Sequence, residues 1–307
     1  MSLLVVGTVA FDQIETPFGK TDKILGGAAT FIGMAASMLD VRTGIVSVIG
    51  DDFPNEYLDL MSSKNIDLSG IEKVEGGKTF FWAGRYRNDM NTRDTLTTEL
   101  NVLENFQPAV PTGWKNPDVL MLGNLHPLVQ KSVLNQLDAR PKLVILDTMN
   151  FWMDHTWNEL MDVLKDVDVL TINDEEARQM SKEYSLVKAA KKILEMGPHT
   201  LIIKKGEHGA LLFHENNVFF APALPLEDVF DPTGAGDTFA GGFSGFLAKT
   251  QNYSFENMKR AIIYGSALAS FTVEKFGTDR LADLTEEEMV DRLDVFKSLT
   301  NFDIELD

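Results

Sequence analysis

No cysteine occurs among the 307 residues, so disulfides and thiolate metal sites are excluded, as suits a reducing compartment. Only five histidines are present, His126, His155, His199, His208 and His214, and no two sit at zinc-site spacing. No structural zinc is expected. No run of eighteen apolar residues exists, and no basic segment precedes the first strand-like stretch at 3–6. The expectation is a soluble, cytoplasmic protein without a membrane partner. Basic residues are few: 28 Lys and Arg stand against 46 Asp and Glu, a formal charge of −18. Such a field repels polyanions, so nucleic acid is not an expected partner. Phosphate-loop look-alikes fail as well. Gly19-Lys20-Thr21 and Gly77-Lys78-Thr79 lack the glycine five places earlier, where Ile14 and Glu72 stand. A dinucleotide fingerprint starting at Gly234 would need glycine where Phe239 stands.

What the chain does have is a substantial apolar fraction, 44%, distributed in short runs. Residues 3–6, 45–49, 119–122, 143–146, 169–172 and 201–203 read as buried strands. Helix-period segments lie between several of them. Phe31, Met34, Ala35, Met38 and Leu39 mark one, and Met289, Val290, Leu293 and Phe296 mark another. This alternation predicts a single α/β domain over 1–307, with a mostly parallel sheet covered on both faces and ligands at the carboxyl ends of its strands. Two segments break the rhythm, about 11–24 and 74–103, the second carrying the aromatic strand candidate at 79–83. They are expected to fold together as a small lid, or as an ordinary edge hairpin.

The chemistry concentrates in residues 231–243, Asp-Pro-Thr-Gly-Ala-Gly-Asp-Thr-Phe-Ala-Gly-Gly-Phe. Gly234 and Gly236 free the backbone to point consecutive N–H groups at one anion. A helix starting there aims its positive dipole end at the same place. Phe239, Phe243, Phe246 and Leu247 recur at helical spacing, which supports that helix and leaves Asp237 at its start. An acid beside a phosphate cradle can take the proton of an attacking hydroxyl, so phosphoryl transfer is the implied reaction. The plainer reading, a glycine-rich loop with Asp237 as N-cap, does not account for the glycines.

This run resembles the C-terminal signature of the ribokinase, or PfkB, family of carbohydrate and nucleoside kinases, and the resemblance extends over nearly the whole chain. It implies a ribokinase-like fold with a β-lid over the acceptor, ATP and Mg²⁺ as cofactors, Asp237 as catalytic base and Gly234-Ala235-Gly236 as the anion hole. It also implies a homodimer formed through the lid.

Other positions gain meaning beside it. Asp12 follows the first strand, where spacing alone leaves turn and ligand roles even; the resemblance implies that it holds the sugar. Gly26 and Gly27 open the first helix and allow close approach of an acceptor, or form a plain turn. Phe31 stands where many members carry an asparagine; its ring could pack on a sugar face or a base. Asn173 and Glu176 read from sequence alone as a helix cap; the resemblance implies contact with phosphates and hydrated magnesium. Lys204, Gly206 and Gly209 border the implied nucleotide site, as do the small residues Gly265, Ser266 and Ala269, which core packing explains equally. Asp231 and Thr233 are implied candidates for a monovalent cation such as K⁺. Arg85, Arg87, Asn88 and Arg93 make the lid partly basic, which suits surface solvation or an acceptor already phosphorylated. The expectation is an ATP-dependent kinase acting on a hydroxyl of a small sugar or sugar-containing metabolite. A nucleoside kinase, with a base near Phe31 or near Phe80, Phe81 and Trp82, is the alternative. A non-catalytic nucleotide- or sugar-binding regulator is the third reading.

Overall fold

The computed structural model describes residues 1–301. Its strands are β1 (Ser2–Val6), β2 (Ala10–Thr16), β3 (Gly19–Lys20), β4 (Ile24–Gly26), β5 (Arg42–Gly50), β6 (Ile66–Val74), β7 (Phe81–Tyr86) and β8 (Arg93–Glu99). They continue with β9 (Val119–Leu122), β10 (Leu143–Asp147), β11 (Val169–Asn173), β12 (Thr200–Lys204), β13 (Ala210–His214) and β14 (Asn217–Ala221). Nine strands form one sheet in the order β14-β13-β12-β11-β10-β9-β1-β5-β6. Pairings from β6 through β12 are parallel, and β13 and β14 close one end antiparallel. Every apolar run read from the sequence lies within one of these strands.

The central strands are buried along nearly their full length because helices cover both faces. On one side pack α1 (Ala28–Ser37), α2 (Asn55–Ser63), α8 (Ala235–Thr250), α9 (Phe255–Thr272), α10 (Asp279–Asp283) and α11 (Glu286–Thr300). On the other pack α3 (Pro127–Gln136), α4 (Asn150–His155), α5 (Trp157–Leu164), α6 (Asp174–Ser181) and α7 (Leu186–Leu194). The two-residue repeat of β1 divides its side chains accordingly: Leu3 and Val5 join the first core, Leu4 and Val6 the second. In α8, Phe239, Phe243, Phe246 and Leu247 are all buried, the face their spacing predicts. In α11 the spacing misleads at one place. Met289 and Phe296 are buried, but Val290 is exposed, because it stands about 100° around the helix from Met289.

The remaining strands form a separate sheet in the order β3-β2-β7-β8, with β4 also paired to β2. Segments 11–24 and 74–103 do contribute to it, though residues 79–80 precede β7 instead of belonging to it. Phe11 of β2 packs on Phe53 and Tyr57 of the α/β body, and further contacts join the two. Tyr86 accepts a 3.2 Å hydrogen bond from the Thr233 hydroxyl, Phe18 packs on Phe230 with centroids 4.9 Å apart, and the Asn91 side chain lies against Gly206. Among the described residues no helix is long and apolar enough to cross a membrane.

Candidate active site

At the start of α8 the chain turns through Gly234, whose φ of +74° is open to glycine and costly for other residues. Gly234 is the N-cap and no side chain caps the helix, so Asp237 is its third residue and not a cap. The Ala235 N–H bonds back to the Pro232 carbonyl at 3.2 Å. That removes Ala235 from the expected row of free donors. The N–H groups of Gly236 and Asp237 belong to the first helical turn, which has no carbonyl to offer them, and no other partner exists among the described residues. Free N–H groups at a helix start, together with the helix dipole, are chemically suited to an anion.

Phe31 supports this turn from behind. A Cβ at Gly234 would come within 2.5 Å of the ring, and Phe31 is only 1% exposed. Its ring therefore offers no open face to an acceptor, contrary to the sequence-based expectation, because the Gly234 backbone covers it. Gly234→Ala combines an adverse φ, worth about 1–3 kcal/mol, with a collision on this ring. The variant should melt at a lower temperature and lose most of its turnover; thermal denaturation together with ADP release checks both.

Asp12, on β2, is buried against Gly26, where any side chain would overlap the carboxylate, and Gly27 donates its N–H to it. Burial pushes Asp12 up to about 7; the Gly27 hydrogen bond opposes the shift, and Asp231 and Asp237 add to it. Burial likewise pushes Asp237 up to about 7, with Asp147 adding repulsion and Lys204 and Arg93 opposing it. Glu176 is raised to about 7, again by burial first and Asp147 second. Three carboxyls poised to hold or release a proton near neutrality thus face one cleft.

Lys204, at the end of β12, is largely buried, its side chain 18% exposed. Its ammonium meets the Asp147 carboxylate at 2.7 Å and lies 3.2 Å from where a Gly236 Cβ would stand, so it overhangs the cradle. Burial opposes its charge, but Asp147, Glu176 and Asp237 hold it protonated, with its pKa above the ordinary value. Asp147 ends β10, as Lys204 and Asn173 end β12 and β11, so the parallel sheet delivers all three to one edge.

Asn173 and Glu176 form a reciprocal capping box on α6, each bond 2.8 Å, so the structural role read from sequence alone is present in full. One Glu176 oxygen accepts the Asn173 N–H. Asp231 is fully buried and strut-like: one oxygen accepts the Thr233 N–H and the other the Gly277 N–H, both at 2.9 Å. Gly206 and Gly209 shape the turn between β12 and β13, both at positive φ. Gly265 is buried against the Phe239 carbonyl on α8, so helix packing accounts for it, whereas Ser266 and Ala269 keep part of their surface open. Sequence reasoning missed Asp147, although a carboxylate closing a buried strand was a signal. It also missed Tyr86, and left Arg93 between surface solvation and a phosphorylated acceptor; nothing in their local sequence shows the strand pairing that sets Arg93 opposite the buried Tyr86.

An open α/β sheet whose edge brings together a helix start with free N–H groups, a carboxylate and a lysine has the chemistry of a phosphotransferase-type site. The chain belongs to the pfkB family of carbohydrate kinases, whose sequence model matches residues 2–284. It is 29% identical over 249 residues to a cytidine kinase of Thermococcus kodakarensis, an alignment covering 79% of this chain and 87% of that protein. The fold is shared with the nucleoside kinase of Methanocaldococcus jannaschii, described as an archaeal member of the ribokinase family, at a TM-score of 0.77 and 21% identity, covering 96% of this chain and 98% of that one. It is also shared with a putative ribokinase II from E. coli in complex with ATP and Mg²⁺, at a TM-score of 0.75 and 19% identity, covering 96% and 99%.

Proposed function

We propose that this kinase moves the γ-phosphoryl group of ATP to a hydroxyl of a small sugar or sugar-containing metabolite, with Asp237 as general base. The observation that carries the reading is the junction at α8, where a carboxyl raised to about 7 stands in the same turn as unpartnered N–H groups, with Lys204 above them. The acceptor oxygen attacks the γ-phosphorus as its proton passes to the Asp237 carboxylate. The bond between that phosphorus and the bridging oxygen breaks, and its electron pair leaves with ADP. The Gly236 and Asp237 N–H groups and Lys204 stabilise charge on the transferring oxygens.

Among the described residues no group of three or more His, Cys, Asp or Glu side chains could cage a metal. That suits magnesium, which binds largely through phosphates and waters and needs few protein carboxylates. Glu176 has one oxygen outside its capping bond, and Thr148, beside Asp147, has a buried hydroxyl without a partner among the described residues. Glu176 and Thr148 would hold hydrated magnesium, which when bound would supply neutralisation of phosphate charge. A potassium ion near Asp231 would share carboxylate oxygens already bonded to two backbone N–H groups. A dependence of turnover on potassium would mark it as an activator.

The small sheet would act as a lid over the acceptor and exclude water. Every residue of its edge strand β8 is exposed, which suits a dimer contact between two lids, and sedimentation would show it. With no cysteine and a strongly acidic surface, the cytoplasm is the proposed location, and small molecules are the proposed partners instead of nucleic acid.

The nucleoside reading draws support from the cytidine kinase relative. With Phe31 covered, the partly exposed Phe80 and Trp82 remain for a base. ADP release with pentoses, hexoses, sugar phosphates and nucleosides, with magnesium and with or without potassium, separates the readings. No turnover with any acceptor, together with tight ligand binding, would favour the regulator. Asp12→Ala should lower kcat/KM for the acceptor by about 10²-fold, as loss of a charged hydrogen-bonding group does. ATP binding should change little. An unaltered acceptor profile would remove Asp12 from the site.

A further inference from the structure

Three arginines ride on the β7–β8 hairpin, and two are neutralised there. Arg85 pairs with Glu15 at 2.7 Å and Arg87 with Asp94 at 2.8 Å. Arg93 has no carboxylate within ion-pair distance among the described residues. In the ladder it stands directly opposite Tyr86, and directly opposed residues share one face of a sheet. That face is fixed by Tyr86 itself, which is buried and whose hydroxyl accepts from Thr233 in the cradle loop. Two residues before Arg93, the Asn91 side chain touches Gly206 on the nucleotide side, 2.7 Å from where a Cβ would stand. The hairpin therefore crosses the cleft, anchored at the cradle and at the β12–β13 turn, with Arg93 between the anchors. Trp82 lies near its guanidinium, 5.4 Å from ring centroid to central carbon.

We infer that Arg93 is a catalytic residue of the lid, whose guanidinium contacts the transferring phosphoryl group and completes the site only when the hairpin is docked. Its charge is felt by Asp12 on the acceptor side, by Asp237 and by Glu176 on the nucleotide side, which locates it centrally and not over one substrate. Asp147, Glu176 and Asp237 gather around Lys204, Asp231 and Asp237 act on Asp12, and a nucleoside triphosphate adds further negative charge. A planar guanidinium offering several donors suits the equatorial oxygens of a phosphoryl in flight. Arg93 stays protonated throughout; the hydroxyl proton still goes to Asp237 and the electron pair to ADP. A cation delivered by the lid would also couple transfer to closure, so that ATP is not hydrolysed in the open cleft.

This inference rests on the proposed kinase reaction, so Asp237→Asn is assayed beside it in the full chain. Arg93→Ala should lower kcat by about 10²–10³-fold, Arg93→Lys should recover part of the loss, and Arg85→Ala should remain near wild type. Binding of Mg-ADP with aluminium fluoride, which mimics the phosphoryl in transit, should weaken in Arg93→Ala while binding of ADP alone holds. If Asp237→Asn is inactive and Arg93→Ala keeps normal kcat, the inference fails and the kinase reading stands. If only the KM of a phosphorylated acceptor rises, Arg93 serves the acceptor's own anion and the inference is likewise overturned. Normal turnover in Asp237→Asn would sink the underlying reaction instead.

Discussion

Replacing Asp237 by asparagine should lower kcat by roughly 10²–10⁴-fold while nucleotide affinity stays close to wild type. Asparagine keeps the size and the helix start but cannot accept a proton. Single-turnover transfer at saturating ATP measures this directly, and near-normal rates would remove Asp237 as the base. The pH dependence carries a second signature. A base raised to about 7 is half protonated at neutrality, so acceptor kcat/KM should climb with pH through that region and then level off. The acid limb should vanish from the residual activity of Asp237→Asn.

The same shift has a consequence for stability, with the sign opposite to that of a salt-bridged acid. Asp237 binds its proton more tightly folded than unfolded, where its pKa is near 3.8. The native state therefore holds more protons between about 4 and 7. Its contribution to stability is present in full below 4 and is lost as pH rises through about 7. Asp12 and Glu176 behave alike. Asp237→Asn should accordingly unfold at a higher temperature than wild type at pH 8, with the difference shrinking toward pH 6.

The parallel sheet was legible because strands covered on both faces must be apolar throughout, as residues 119–122 and 143–146 are. The turn into α8, with Asp237 in its first turn, was legible because glycines, helix start and acid fall within one short run. Phe31 was not, since its partner, Gly234, lies about two hundred residues away and only the folded chain shows that the ring is covered. The ion pair of Lys204 was hidden for the same reason: Asp147 reaches it across one intervening strand, β11, between β10 and β12. Capping and catalysis also use the same residue types, so Asn173 and Glu176 carry a visible structural role that sequence cannot separate from a chemical one.

Lys204→Met should damage both folding and transfer, and a second substitution can separate the two. Removing one partner of a buried ion pair costs about 3–5 kcal/mol, because the other charge is left without compensation. Here the stranded charge is Asp147, with Glu176 and Asp237 close enough to add repulsion. Asp147→Asn in the Lys204→Met background removes that charge, so the double variant should recover much of the lost melting temperature. Turnover should not return with it. Lys204 overhangs Gly236, where the oxygens of the phosphoryl group would gather charge, and one such donor is worth about 2.7–4 kcal/mol. The double variant should therefore fold and bind ATP yet remain about 10²–10³-fold slow. Recovery of turnover alongside stability would mean that Lys204 serves only to neutralise Asp147, and the charge stabilisation at the cradle would then fall to the backbone N–H groups and the metal.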